Sequence, residues 1–394
     1  MSSANQPGLP FETPIYELED RLRGLLQADA SSPEAGDEIR RVRRELAETT
    51  KRIYANLTPW QTVQVSREKN RPYTADYLSL VFDEFVELHG DRHFGDDRAM
   101  LCGFAKIDQY KVVVVGHQKG RTYKERAACN FGCAHPEGYR KALSKMRLAA
   151  KYGLPVICFI DTPGAYPGVG AEERGQAMVI AQNMFEMSRL RTPIICVVIG
   201  EGGSGGALGI GVGDRVAMLE HAYYSVISPE GCAGILWKSH QYAELAAKAL
   251  RFTSKDLLGF GIVDSVIDEP LGGAHRDPHR MAARLKQYLA KTLRELTRIP
   301  VDHLLPNRYE KFRRMGVFMD SAFPTEPETA GSAGGSGAGS DSATATPGDA
   351  GGTGESNGAS SAKGPKANPK SKSSHASRNG SQSNNGSQSN NGSH

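Results

Sequence analysis

Residues 325–394 contain no valine, isoleucine, leucine, methionine, phenylalanine, tryptophan, tyrosine or cysteine. A segment with no apolar side chains has nothing to bury against the entropy of ordering its backbone, which predicts a disordered tail. The N-G-S triplets at Asn379, Asn385 and Asn391 belong to a repeat in that tail and follow from its composition, not from glycosylation. No apolar run approaches the roughly 20 residues of a membrane-spanning helix. The opening M-S-S-A-N-Q-P has neither signal-peptide apolarity nor transit-peptide character, so a cytoplasmic protein with no membrane partner is expected. A strong charge of one sign is also missing: the net charge is +4 over 394 residues, with no basic stripe for nucleic acid. Cysteine is sparse, and Cys102, Cys129, Cys133, Cys158, Cys196 and Cys232 form no C-x-x-C or Cys/His zinc pattern. Cys158 and Cys196 lie inside apolar runs, where a small buried thiol is common.

What remains is a body rich in strand–turn–helix signals. Residues 13–27 carry Ile15, Leu18, Leu22, Leu25 and Leu26 at helical spacing. A turn at 30–37 leads to a second amphipathic helix with Ile39, Val42, Leu46, Ile53 and Leu57, making an αα-hairpin. The spacing predicts a helix over 74–89. The Asp-rich loop after it is read as pairing with Arg92 and Arg98. Residues 103–107 and 111–115 read as a hairpin of strands, and 139–152 as a helix. Buried strands follow at 155–160 and 194–199, a helix at 172–190, and strands at 216–219 and 224–227. Ser228-Pro229-Glu230 is a helix start, and further helices fill 241–249 and 281–296. Repeated strand–helix–strand units predict an α/β fold with parallel strands.

The stretch that organises the chain is 194–214, where an apolar strand runs into Gly200, Gly202, Gly203, Gly205, Gly206, Gly209, Gly211 and Gly213. Glycine lets backbone N–H groups approach a ligand closely, so a strand feeding such a turn aims donors at negative charge. No G-x-x-x-x-G-K-[S/T] is present, which excludes a P-loop. Gly200 to Gly205 satisfies G-x-G-x-x-G, with Glu220 about 20 residues on as a ribose-binding acid would be. The short interval before the strand at Val216, broken by three more glycines, argues against that dinucleotide reading. A second glycine-rich turn, 161–170, also follows a buried strand. Two such turns can each supply an N–H to one oxyanion hole, though two tight turns without a ligand remain the alternative.

The segments R-P-Y-T-A-D-Y, G-H-Q-K-G-R, P-E-G-Y-R-K-A-L, F-I-D-T-P-G-A-Y-P-G-V-G-A-E-E-R-G-Q, V-I-G-E-G-G-S-G-G-A-L, S-V-I-S-P-E-G-C-A, I-L-W-K-S and E-P-L-G-G-A-H-R resemble the α subunit of bacterial acetyl-CoA carboxylase carboxyltransferase. They run in family order through about residues 10–320; the polar tail lies outside. The resemblance implies a crotonase-like (ClpP/crotonase) ββα superhelix over 61–323, preceded by the hairpin at 1–60 and followed by the tail at 324–394. It implies an α2β2 heterotetramer with a β subunit that carries the zinc, no metal on this chain, and no permanently bound cofactor. The wider complex would include biotin carboxylase and the biotin carboxyl carrier protein. The implied reaction moves a carboxyl group from carboxybiotin on the carrier to acetyl-CoA, giving malonyl-CoA, the first committed step of fatty acid synthesis.

On that basis the backbone amides of Gly205 and Gly206 are expected to stabilise the biotin oxyanion. Gly164, Gly168 and Val169 would shape the facing wall, with Tyr166, Gly203 and Ser204 also against the substrate. Lys119, Arg121, Lys124 and Arg126 are read as a solvated basic loop or as contacts for CoA phosphates or a partner. Tyr166 is open between substrate and core, and Glu230 between pocket wall and helix start. Glu201 is expected to face away from the oxyanion or to pair with a cation. A non-catalytic scaffold and a dehydrogenase are the competing functional classes.

Overall fold

The computed structural model describes residues 8–27 and 33–316; the tail at 324–394 and part of the turn expected at 30–37 lie outside these residues. Helices α1 (Thr13–Gln27) and α2 (Pro33–Ala55) pack together as the expected hairpin, with Arg21 and Glu38 paired across them at 2.5 Å. The second helix starts inside the expected turn, because proline at the first helical position lacks only an N–H that a helix leaves unbonded there. Next come α3 (Pro59–Ser66), α4 (Thr74–Val81), β1 (Glu84–Glu87), β2 (Met100–Ile107) and β3 (Tyr110–His117). They are followed by α5 (Tyr123–Ala128), α6 (Pro136–Lys151), β4 (Val156–Thr162), α7 (Val169–Glu173) and α8 (Gln176–Arg189). The chain continues through β5 (Ile194–Gly203), α9 (Ser204–Leu208), β6 (Arg215–Leu219), β7 (Tyr223–Ser225), α10 (Pro229–Trp237) and α11 (Ala243–Leu250). The described residues end with α12 (Ser254–Gly259), β8 (Ser265–Ile267), α13 (Pro278–Leu296) and α14 (Val301–Arg313).

One sheet of eight strands runs in the order β1-β2-β3-β4-β5-β6-β8, with β7 paired to the end of β5. The β1–β2 and β2–β3 pairs are antiparallel; β3, β4, β5, β6 and β8 pair parallel. Every residue of β4 and of β5 is buried, which is why both read as unbroken apolar runs and not as alternating ones. Helix α6 supplies Tyr139, Ala142, Met146 and Ala149 to the core, and α13 supplies Met281, Leu285, Leu289 and Leu293. Cys158 and Cys196 face each other across β4 and β5, fully buried, and all six cysteines are free thiols. The result is the expected α/β arrangement around a mostly parallel sheet. No described helix is long and apolar enough to cross a membrane.

Three local expectations change. The helix expected over 74–89 stops at Val81, and 84–87 forms the edge strand β1, with Phe85 opposite Ala105. Glu-Phe-Val-Glu alternates as well as it fits a helix; the ladder to β2 decides, helped by Gly103, where any Cβ would strike the Val86 carbonyl. The helix expected over 172–190 is two helices, α7 and α8, split at Gly175, whose φ is +79°. The Asp-rich loop finds its cations on α6 instead of in itself. Asp91 accepts from Arg140 Nε at 2.7 Å and Asp96 from Lys141 Nζ at 2.5 Å, while Asp97 accepts the Ala99 and His135 amides.

Buried Arg308 staples α14 to the parallel strands. Its guanidinium donates to Asp214 at 2.8 and 2.7 Å and to the carbonyls of Met187, Leu190 and Thr192, the open end of α8. Removing one partner of such a pair strands the other charge in a dry site. Arg308→Met is expected to lower unfolding free energy by about 3–5 kcal/mol in chemical denaturation, and adding Asp214→Asn is expected to recover part of the loss.

Candidate active site

The two glycine-rich turns lie against one another at the ends of β4 and β5. Gly206, in the first turn of α9, is buried so closely on the other turn that a Cβ would sit 2.5 Å from both Ala165 N and Gly164 C. Gly203 meets the Pro163 carbonyl even more closely, leaving no room for a Cβ there. Between them Ser204 takes a left-handed φ of +51° and exposes its side chain. A sharp strand-to-helix turn of this kind presents the amide of the following residue outward. That residue is Gly205, which has only the Ile180 side chain near, at 3.8 Å from where a Cβ would stand. The first N–H groups of a helix have no intrahelical acceptor, so the amides of Gly205 and Gly206 are the donors this turn can offer. Ser204 has no histidine or carboxylate bonded to its hydroxyl among the described residues, so nothing activates it as a nucleophile.

The other expected residues are brought less close together. Gly164 touches Gly206 directly. Tyr166 turns toward His135, with ring centroids 4.1 Å apart, and its amide donates to the Ala134 carbonyl. Gly168 lies under the Tyr166 ring, and Val169, which begins α7, is 70% exposed. Tyr166, Gly168 and Val169 thus lie together on the later part of the 161–170 turn, and none of them is among the atoms nearest a Cβ at Gly205.

Behind the turns is a set of side chains of which sequence reasoning named only Lys119, Glu201 and Glu230. Tyr139 Oη donates to the Gly206 carbonyl at 3.1 Å, and Asn183 Nδ2 donates to the Tyr139 and Gly209 carbonyls, each at 3.0 Å. His117 is fully buried against Tyr139, its ring facing the Phe159 and Gly206 backbone without a well-formed hydrogen bond; burial, then the Lys119 charge, pulls its pKa down to about 3. The imidazole is therefore neutral. Lys119 is buried instead of lying in a solvated basic loop. Its ammonium donates to Asp161 Oδ1 and Glu201 Oε2, both at 2.7 Å. Glu201 does pair with cations: its other oxygen accepts from Arg67 Nε at 2.7 Å and Tyr223 Oη at 2.9 Å. Arg67 reaches on to Glu230 at 2.5 Å, so Glu230 is an ion-pair partner as well as a residue in the first turn of α10. Arg121 pairs with Asp76, while Lys124 and Arg126 stay exposed. Glu220 accepts the Glu269 amide at 3.0 Å, a structural task. Each of Lys119, Asp161 and Glu201 stands at or just beyond the end of a buried strand, and that position was the signal available in the sequence.

Burial alone would raise the pKa of Glu201, but the charges of Lys119 and Arg67 outweigh it and hold the carboxyl at about 2. Glu269 is likewise held at about 2, burial again being overcome, here mainly by Arg71. Both values lie below the unfolded carboxyl pKa of about 4.3. Their stabilising contribution is therefore complete above that pKa and is lost as pH falls toward 2. Thermal unfolding followed between pH 5 and pH 2 (about the span of these carboxyl values) should show a falling midpoint, with a shallower fall in Glu201→Gln.

The family model described as acetyl co-enzyme A carboxylase carboxyltransferase-like matches residues 8–316. The acetyl-coenzyme A carboxylase carboxyl transferase subunit alpha of Rhodopirellula baltica is 69% identical over 316 residues, covering 80% of this chain and 99% of that protein. The protein of the same name from Methylococcus capsulatus is 53% identical over 315 residues, covering 80% and 98%. Among solved structures, a Pseudomonas malonate decarboxylase hetero-tetramer in complex with coenzyme A matches with TM-score 0.46 at 17% identity, over 55% of this chain and 86% of that one. Transcarboxylase 12S matches with TM-score 0.45 at 21% identity, over 56% and 42%. The chain belongs to the acetyl-coenzyme A carboxylase carboxyl transferase alpha-subunit family.

Proposed function

We propose that this chain supplies the biotin side of a carboxyltransferase site, moving a carboxyl group from carboxybiotin on a carrier protein to acetyl-CoA. The observation that carries this reading is the backbone contact between the two glycine turns, with Gly205 beside it at the start of α9, where a Cβ would meet only Ile180. In the first half-reaction the bond between biotin nitrogen and the carboxyl carbon breaks, releasing CO2 and leaving negative charge on the ureido oxygen. Amide donors from Gly205 and Gly206 stabilise that charge without titrating themselves. The biotin nitrogen then takes a proton from the acetyl methyl group, and the resulting enolate carbon attacks CO2 to give malonyl-CoA. Biotin gains the proton that acetyl-CoA loses, so no protein base is needed. This agrees with a site where the buried histidine is neutral and Ser204 is unactivated.

The β subunit is assigned the acyl-CoA oxyanion and the zinc, within an α2β2 assembly in the cytoplasm that works with biotin carboxylase and the carrier protein. Residues 61–323 carry the chemistry, with 1–60 as the helical hairpin and 324–394 as a separate segment. Gly164, Gly203 and Ser204 build the floor, and Tyr166, Gly168 and Val169 the rim against the biotin ring and its arm.

Substitution separates the two glycines. Gly206→Ala drives a methyl into backbone and should lower thermal stability, at a cost of about 1–3 kcal/mol typical of overpacking. A Cβ at Gly205 meets only Ile180, at ordinary contact distance, so Gly205→Val should fold and assemble with β while screening the amide. Malonyl-CoA formation by the reconstituted pair should then fall by about 10²–10³-fold, the usual loss for one oxyanion donor. Unchanged turnover in an intact Gly205→Val complex would remove these amides from the mechanism.

A further inference from the structure

The β4–β5 ladder loses register immediately before the two turns. Ile160 pairs with Val198, but Thr162 pairs with Gly202, so one residue of β4 spans three of β5. In a regular ladder the backbone itself fixes how far two strand ends lie from each other. Here that control is interrupted, and side chains fill the gap. Asp161 Oδ1 accepts the Glu201 amide at 2.9 Å, and Gly200 is needed beside it, since a Cβ there would lie 2.5 Å from the same oxygen. Lys119, two residues past the end of β3, donates to Asp161 on one strand and to Glu201 on the other. Gly132, at φ +87°, lies on the lysine stem, where a Cβ would come within 2.8 Å of Lys119 Cγ. The ammonium is thus enclosed among the described residues and touches both strands that carry the turns.

We propose that Lys119 is a positioning residue for carboxyl transfer: its ammonium, shared by Asp161 and Glu201 at the register break, sets the spacing of the two glycine turns. It does not touch the substrate. Asp161 begins the turn that carries Gly164, and Glu201 lies three residues before Ser204, so a shift at either carboxylate moves one turn relative to the other. An oxyanion donor moved by about 1 Å costs on the order of 10²-fold in rate. This proposal rests on the carboxyl-transfer reading given above and deepens it.

The test compares Lys119→Arg and Lys119→Met in the full α–β complex, supplied with carboxylated carrier protein and acetyl-CoA. Arginine keeps the charge with a longer, planar head; methionine keeps the stem and removes the charge. Both complexes are expected to assemble, with kcat per assembled complex lowered at least about tenfold for methionine and less for arginine. KM for acetyl-CoA is expected to stay within about twofold, because uniform substrate binding is unaffected by a donor used in the transition state. A lysine that only stabilised the fold would change the yield and melting of the complex while leaving kcat of the assembled fraction intact. Unchanged kcat in both assembled variants overturns the proposal and leaves the functional reading standing. A rise in KM at constant kcat, or failure of both variants to assemble, also overturns it. Absence of malonyl-CoA from the unsubstituted complex overturns the reading and the proposal together.

Discussion

The structure depends on how β5 survives a break in its own ladder. Where the register shifts, between Ile160 and Thr162 on β4, backbone groups of β5 lose their strand partner and must find others in a fully buried place. The Glu201 amide finds Asp161, and the Ile199 carbonyl finds Arg71 Nε at 3.0 Å. Each of those groups is charged, so each needs neutralising in turn: Asp161 by Lys119, Arg71 by Glu269 at 2.8 Å. Glu269 then accepts the His221 and Ala274 amides, which ties the loop after β8 into the same set. Two buried ion-pair systems therefore flank one strand where its ladders to β4 and β6 are both interrupted. Buried pairs of this kind add little net stability over apolar packing, and they become costly when one partner is lost. Their value here is geometric.

The same break explains the concentration of glycine. Gly200 makes room for the Asp161 carboxylate, Gly203 for the Pro163 carbonyl, and Gly206 for the backbone at 164–165. These are three different close approaches, each with a different neighbour. The two turns are packed main chain to main chain, and the donors proposed for them are main-chain amides. Side chains such as Tyr139, Asn183 and Lys119 hold the turns from behind through hydrogen bonds.

Much of this was legible in the residues. The strands at β4 and β5 announce themselves by apolar runs rich in β-branched residues, and Ser228-Pro229 announces α10 by its cap chemistry, with Ser228 Oγ accepting the Gly231 amide. The glycine turns and the α/β class followed from those signals, and the family from its motifs. What stayed hidden depends on pairings distant in sequence. Lys119 and Glu201 are 82 residues apart, and Arg71 and Glu269 are 198 apart, so no local pattern predicts either. Glu-Phe-Val-Glu at 84–87 satisfies two periodicities at once, and only the presence of β2 selects the strand. Likewise Lys119 sits among exposed cations in the sequence, and its burial is set by Gly132 arriving from farther along the chain.

Helix α9 is only five residues long, a length at which an isolated helix does not hold together in water. The carbonyls of Gly206 within it and Gly209 just after it are nevertheless gripped by Tyr139 from α6 and Asn183 from α8, both deep in the core. Opening α9 thus requires loosening two long helices that pack on the central sheet. The segment belongs energetically to the most protected part of the fold, and not to the loops it resembles in length. The amides proposed as oxyanion donors are consequently held in place before any ligand arrives, so on that reading binding spends little ordering entropy on them.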